Sequence, residues 1–243
     1  MEIADLIKDL PVRAKGAVAH YWITRAAQAK KQKLSGTSDQ GNRGAATGGA
    51  HMDGFLDILA LYLEALGIPR HVLHFHQHLE LPGYFRPTKK WDLLVVLDGK
   101  LIAALETKSQ VGSFGNNFNN RTEEAMGSAL DLWTAYREGA FGRGLAPWLG
   151  YLFLLQDCPA SQKPVRTDEP HFKVFPEFKN ASYARRYELF CRKLVSERHY
   201  TTSAFLLADL ETGSGGVFHE PASDLTLNGF VTSLLNHARN YIN

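Results

Sequence analysis

The chain has 243 residues, 44% of them apolar, which is enough for one large core, and its 27 basic and 25 acidic residues leave a net charge of only +2. No stretch approaches the roughly 18 to 20 uninterrupted apolar residues of a membrane helix and no secretory h-region opens the chain, so the expectation is a soluble, cytoplasmic protein. Two cysteines, Cys158 and Cys191, without Cys-x-x-Cys spacing exclude a disulfide framework and a zinc ribbon.

Residues 2–33 read as helical, with a break near Pro11 and Val18, Tyr21, Trp22 and Ala26 on one stripe. Residues 35–50 turn to Gly, Ser, Thr, Asn and Gln, a flexible loop without the Gly-Lys-Ser/Thr ending of a nucleotide-binding loop. It is either a plain connection or a segment that orders over nucleic acid, with Asn42 and Arg43 as its candidate contacts. Asp53 can cap a helix from about Gly54 to Leu66, closed by Gly67 and Pro69. Asp57 and Glu64 share a side of that helix, where acids are ordinarily solvated. His71, His74, His76 and His78 fit a strand better than a metal cluster, because structural zinc sites draw on Cys or on more widely separated His pairs.

Two apolar runs follow, Trp91 to Leu97 and Leu101 to Leu105, joined by Asp98-Gly99, a hairpin signal. The second run ends in Glu106-Thr107-Lys108. An acid two residues before a lysine also occurs at Asp98 and Glu177, but only Glu106 closes an apolar strand. Side chains alternate faces along a strand, so Glu106 and Lys108 share one. With a three-residue loop, or with a bulge, Asp92 falls opposite Glu106 and one divalent cation can bridge the two carboxylates. A strict two-residue loop with regular pairing sets Asp92 opposite Leu105 instead. The bland alternative is a solvated strand end, but runs this apolar suit strands covered on both faces, whose charges need partners or a metal.

Basic residues bunch at 25–33, at Arg86, Lys89 and Lys90 just before Asp92, and at 185–193. Such clusters are commonly solvated faces, and the one beside the carboxylates is the best candidate for phosphate contact. After Lys108 comes an amide-rich stretch, Ser109 to Arg121, read as a loop. Gln110, Asn116, Asn117, Asn119, Asn120 and Arg121 are its candidate DNA contacts, because Asn and Gln can bond adenine and Arg can fork onto guanine. A helix from about 122 to 136, a strand near 149–156, a helix near 183–197, a strand near 204–210 and a last helix near 225–241 complete the chain, with no internal repeat.

This order, with Asp92 and Glu106-x-Lys108, resembles the α/β core of the PD-(D/E)xK nuclease superfamily: a central mixed β-sheet flanked by helices, with helical N- and C-terminal additions, as one restriction-endonuclease-like domain over 1–243. The customary proline before the first acid is replaced by Trp91. Glu106 to Arg121, and Gly48 to Phe55 upstream, are similar to the XhoI-like family of type II restriction endonucleases. The resemblance implies a Mg²⁺-dependent homodimer that cuts both strands of double-stranded DNA at CTCGAG, leaving four-base 5′ overhangs, in a system with a cognate methyltransferase. It also implies that Asp92, Glu106 and the Thr107 carbonyl oxygen hold the ion and that Lys108 orients or helps deprotonate the attacking water; apart from the resemblance, an acid of the preceding helix segment, Glu64 or Asp53, is a further candidate ligand. Two rival readings use the same residues: a structure-selective repair or recombination nuclease, and a DNA-binding module without catalysis.

Overall fold

A computed structural model describes residues 2–34, 49–142 and 144–242. Asn42, Arg43 and most of the glycine-rich segment therefore lie outside the described residues. The main helices are α1 (Leu10–Leu34), α2 (Asp53–Leu66), α3 (Phe114–Arg137), α4 (Tyr183–Ser196) and α5 (Leu227–Arg239). The strands are β1 (Leu73–His74), β2 (Glu80–Pro82), β3 (Thr88–Lys90), β4 (Leu93–Leu97), β5 (Lys100–Gln110), β6 (Trp148–Gln156) and β7 (Thr202–Ala208).

Five strands form the central sheet in the order β1-β4-β5-β6-β7, while β2 and β3 form a separate two-stranded ribbon. Pairing is antiparallel from β1 to β5 and parallel from β5 to β7, so the sheet is mixed, as expected. Helices α1, α2 and α5 cover one face, where Tyr21, Trp22, Phe55, Leu59 and Phe230 pack with Leu93, Leu105 and Leu152. Helices α3 and α4 cover the other, where Ala129, Leu132, Tyr187 and Phe190 pack with Ala104, Tyr151 and Phe205. Burial on both sides is the reason β6 is apolar almost without interruption: every residue from Trp148 to Leu155 is buried. This is the helix-flanked mixed sheet of the PD-(D/E)xK core.

Several elements differ from the sequence-based expectation for identifiable reasons. The helical break expected near Pro11 is present, at residues 7–9, and Pro11 itself lies in the first turn of α1, where its missing N–H costs nothing. Met52 rather than Asp53 is the N-cap of α2, and no side chain caps it. The C-terminal stop is as expected, with Gly67 left-handed at φ 113°. The histidine segment is a strand only at Leu73–His74; it then bends, with His78 at φ 58°.

The largest difference is that the amide-rich stretch is helix, not loop. Gly112 and Ser113 take left-handed conformations and turn the chain out of β5, and α3 starts at Phe114. Two aromatic contacts decide this: Phe114 stacks on Tyr183 at 6.0 Å and Phe118 meets Tyr187 edge-on at 5.0 Å. Burial of Phe114, on the order of 1.5–3 kcal/mol, together with the partial cover of Phe118, outweighs the modest helix reluctance of the asparagines around them.

Candidate active site

The β4–β5 hairpin carries the site. Asp98 and Gly99 have φ of 50° and 71°, the signs of a two-residue type I′ turn, and Leu97 pairs with Lys100. Regular pairing from that turn would have set Asp92 opposite Leu105. Instead Val96 pairs with Leu101 and Val95 with Ala103, so Ile102 is the extra residue of a β-bulge. Beyond the bulge Leu93 pairs with Leu105, and continuing this register places Asp92 opposite Glu106. The Asp92 N–H donates to the Leu105 carbonyl at 3.0 Å, which extends the ladder to the acid itself.

Glu106 is 5% exposed and lies on the face of the sheet covered by α3 and α4, beside Tyr151 of the neighbouring strand. One of its carboxylate oxygens accepts from Lys108 Nζ and the other from Lys89 Nζ at 2.5 Å. Burial pushes the Glu106 carboxyl up, but the two ammonium groups prevail and hold it below its ordinary value. The Lys108 ammonium is opposed by burial yet favoured by Glu106 and Asp92, and stays protonated beyond its ordinary range. Asp92 is the less well served acid. One of its oxygens accepts from the Thr107 N–H at 2.6 Å and from the Thr107 hydroxyl at 3.0 Å. Burial and then the Glu106 charge raise its pKa, more than Lys108 and Thr107 lower it.

Trp91, standing where the superfamily has proline, is 2% exposed, and its N–H donates to the Leu79 carbonyl at 2.9 Å. Its ring lies 4.0 Å under Lys89 Nζ, a cation–π contact that steers this lysine toward Glu106. Lys89 thus belongs to the acid cluster rather than to an exposed phosphate-binding surface, and its side chain is only 11% exposed. Sequence reading missed this because the lysine reaches the site through the β2–β3 ribbon, which pairs Leu81 with Lys89. The one available signal was an isolated basic pair ahead of the acid.

The other candidates separate clearly. Arg121 is near the site: its charge acts on Lys108, and it pairs with Glu124 at 2.8 Å. Asn116, Asn119 and Asn120 are exposed on the first two turns of α3, and Asn117 donates back to the Ser113 carbonyl at 3.0 Å. Lys90 is exposed on the ribbon. Gln110, by contrast, is buried and donates to the Gly112 carbonyl, while Gly112 N–H donates to Gln156, so this amide holds the β5–α3 turn. Glu64 is paired with Arg70 at 2.7 Å on the far end of α2, and the charges acting on Asp53 are His76, Asp57 and His20. Among the described residues no group of three His, Cys, Asp or Glu side chains converges, so neither acid joins Asp92 and Glu106, and the four histidines hold no metal cluster. Asp92 and Glu106 nevertheless offer two acidic groups beside a polar backbone, oxygen donors of the kind a hard divalent cation takes.

The profile described as Restriction endonuclease XhoI matches residues 31–220, which span the whole hairpin and the start of α3. The chain belongs to the XhoI restriction endonuclease family. It is 58% identical over 211 residues to the type II restriction enzyme BstVI of Geobacillus stearothermophilus, covering 84% of this chain and 94% of that protein. It is 48% identical over 185 residues to the type II restriction enzyme XhoI of Xanthomonas vasicola, covering 75% and 74%. It is 49% identical over 175 residues to the type II restriction enzyme AbrI of Azospirillum brasilense, covering 71% and 77%. No solved structure matches the chain. Membership of the XhoI family makes this an enzyme, a site-specific deoxyribonuclease, and selects restriction over the repair and non-catalytic readings. No described helix is long and apolar enough to cross a membrane.

Proposed function

We propose that the chain is a Mg²⁺-dependent cytoplasmic restriction endonuclease that cuts both strands of a palindromic DNA site, with CTCGAG and a four-base 5′ overhang expected from its family. The observation that carries this reading is the register set by the Ile102 bulge, which puts Asp92 opposite Glu106 with Lys108 on the same carboxylate. In this reading Asp92, Glu106 and the Thr107 carbonyl oxygen hold the cation. A divalent cation held by these residues would supply Lewis acidity, lowering the pKa of the attacking water and offsetting charge on the phosphate oxygens. The residues themselves position the reactants. Thr107 fixes the Asp92 carboxylate through its N–H and hydroxyl. Lys108, kept protonated by Glu106 and Asp92, orients the attacking water and stabilises the developing charge on phosphate.

The exposed amides of Asn116, Asn119 and Asn120, with Asn117 and Arg121 beside them, supply the base-reading edge, and Lys90 supplies a phosphate contact. Gln110 and Lys89 are left out of that surface because both are engaged inside the protein. A two-fold symmetric target is matched by a homodimer with one site per strand. A cognate methyltransferase protecting the same sequence belongs to such a system.

The test is digestion of a sequenced plasmid with and without Mg²⁺, beside the Glu106→Gln variant, with fragment ends read by sequencing. Ends at one recurrent sequence that require both Mg²⁺ and Glu106 support the proposal and give the site directly. Cutting that persists in the variant removes Glu106 from the chemistry.

A further inference from the structure

Helix α3 turns one stripe to the sheet. Phe114, Phe118, Ala125, Ala129 and Leu132 recur on it at helical spacing and pack in the core that α3 and α4 share. Arg121 lies three residues after Phe118 and four before Ala125, so it occupies the same stripe, whereas Asn116, Asn119 and Asn120 are exposed on the rest of the helix surface. A cation at such a position is costly, because burial and like charge both oppose it. Arg121 meets both conditions. Its side chain is 22% exposed, and its charge opposes the Lys108 ammonium, which stands on the sheet face that α3 covers.

Lys108 has Glu106 in return. For Arg121, among the described residues, the one acidic partner is Glu124, bonded through Nη1 at 2.8 Å. That carboxylate lies three residues along the same helix and is 51% exposed, and a pair so open to water contributes little and gives way readily. The Nε of Arg121 is buried and has no hydrogen-bond partner among the described residues. The guanidinium thus has donors and charge left over beside the acid cluster, on a helix stripe that otherwise serves packing. An entering anion would answer both.

We propose that Arg121 is a catalytic residue whose guanidinium bonds the non-bridging oxygens of the scissile phosphate beside Lys108 and stabilises the charge that gathers on them during cleavage. The inference rests on the metal-site reading of Asp92 and Glu106 given above, and it gives Arg121, which borders the base-reading edge, a phosphate rather than a guanine to meet. In the step, the water oxygen forms a bond to phosphorus and its proton passes to solvent. The P–O bond to the leaving sugar breaks with its electron pair on the sugar oxygen, which takes up a proton. Arg121 neither gives nor takes a proton. Its planar fork matches two phosphate oxygens at once, which a lysine cannot do.

The test uses the full-length chain and a duplex carrying the sequence at which the wild-type enzyme cuts plasmid DNA. Single-turnover cleavage in Mg²⁺ at saturating enzyme, duplex affinity in a chelating buffer and melting temperature are measured for wild type, Arg121→Met, Arg121→Lys, Glu124→Gln and Glu106→Gln. Arg121→Met is expected to slow cleavage about 10²- to 10³-fold, the scale of one preorganised donor group, while keeping its preference for the site over one-base variants. Arg121→Lys, which keeps the charge without the fork, should recover part of the loss, and Glu124→Gln should cleave at nearly the wild-type rate. An uncharged methylphosphonate at the scissile linkage should weaken binding to wild type more than to Arg121→Met, the coupling of a direct contact. A wild-type rate in Arg121→Met, relaxed preference at one base pair, or an equal methylphosphonate effect in both proteins overturns the proposal; relaxed preference marks a base reader. Equal slowing by Glu124→Gln overturns it too, because the ion pair on the helix surface would then be what matters. If Arg121→Met does not melt cooperatively, Arg121→Lys decides: slowed cleavage at the wild-type melting temperature supports the contact, and a wild-type rate removes it. Wild-type cleavage in Glu106→Gln sinks the metal-site reading itself.

Discussion

Asp92 and Glu106 are both largely buried acids in one cluster, yet their neighbours treat them differently. Glu106 has two ammonium partners, whereas Asp92 has Thr107 and the repulsion of Glu106. Removing the Asp92 charge should therefore relieve the metal-free fold. Asp92→Asn keeps an oxygen for the Thr107 N–H and is expected to stabilise the protein by about 1 kcal/mol, raising Tm by roughly 2–4 °C in the absence of divalent metal, while cleavage is lost. Thermal melts in a chelating buffer, paired with plasmid digestion, check both halves; a lower Tm would mean that the carboxylate is well accommodated. Lys108→Met should leave the melt cooperative and reduce single-turnover cleavage about 10²- to 10³-fold, the scale of one preorganised electrostatic group. Rate loss reversed by raising Mg²⁺ would point to weakened metal binding in place of lost charge stabilisation.

At the level of elements, the β2–β3 ribbon that delivers Lys89 is pinned from outside the sheet. Asp131 of α3 is buried and accepts from the N–H groups of Tyr84 and Phe85 at 2.7 and 2.9 Å and from Arg86 at 2.6 Å. Burial pushes its carboxyl up, but these hydrogen bonds, the Phe85 one foremost, hold it below its ordinary value of 3.8. A depressed carboxyl stabilises the fold above its unfolded pKa, and that contribution is lost as pH falls from about 3.8 through the folded value. Asp131→Asn should cost about 1–3 kcal/mol at neutral pH and flatten this acid limb of stability, measured by urea denaturation at pH 7 and below pH 4. Hydrogen exchange at residues 83–87 should rise with it. In β6, a Cβ at Gly150 would strike the Trp148 ring and the Phe230 ring. Gly150→Ala is expected to destabilise by about 1–3 kcal/mol through overpacking, and a neutral result in urea would show that the Trp148 side of the core can yield.

For the whole molecule, helices cover both faces of the sheet, and in the proposed reading the ends of β4 and β5 that carry Asp92 and Glu106, the start of α3 and the ribbon meet DNA. One chain presents one Asp92–Glu106 cluster, so the proposed cut of both strands in a single encounter calls for two chains. Sedimentation on a duplex carrying CTCGAG should show two copies per DNA, and a single copy that still cuts both strands would exclude the symmetric arrangement. Binding to any duplex should weaken steeply with salt, and Lys90→Met should lower the slope of log K against log salt by about one if this lysine meets a phosphate.

Much of this was legible in local sequence. The apolar runs at 93–97, 101–105 and 148–155 announce strands buried on both faces, Gly67 ends a helix, and period-two alternation puts Glu106 and Lys108 on one face without any knowledge of the rest of the chain. These properties depend on neighbours within a few residues, and the chain carries them directly. The bulge at Ile102, the start of α3 at Phe114 and the approach of Lys89 to Glu106 do not. Each is decided by contacts between segments far apart in sequence: the pairing of two strands, the stacking of Phe114 and Phe118 on Tyr183 and Tyr187, and the attraction of a buried carboxylate for a lysine on another sheet. Local propensities there differ by less than about 1 kcal/mol per residue, so packing and charge pairing across the molecule, worth more, chose the outcome.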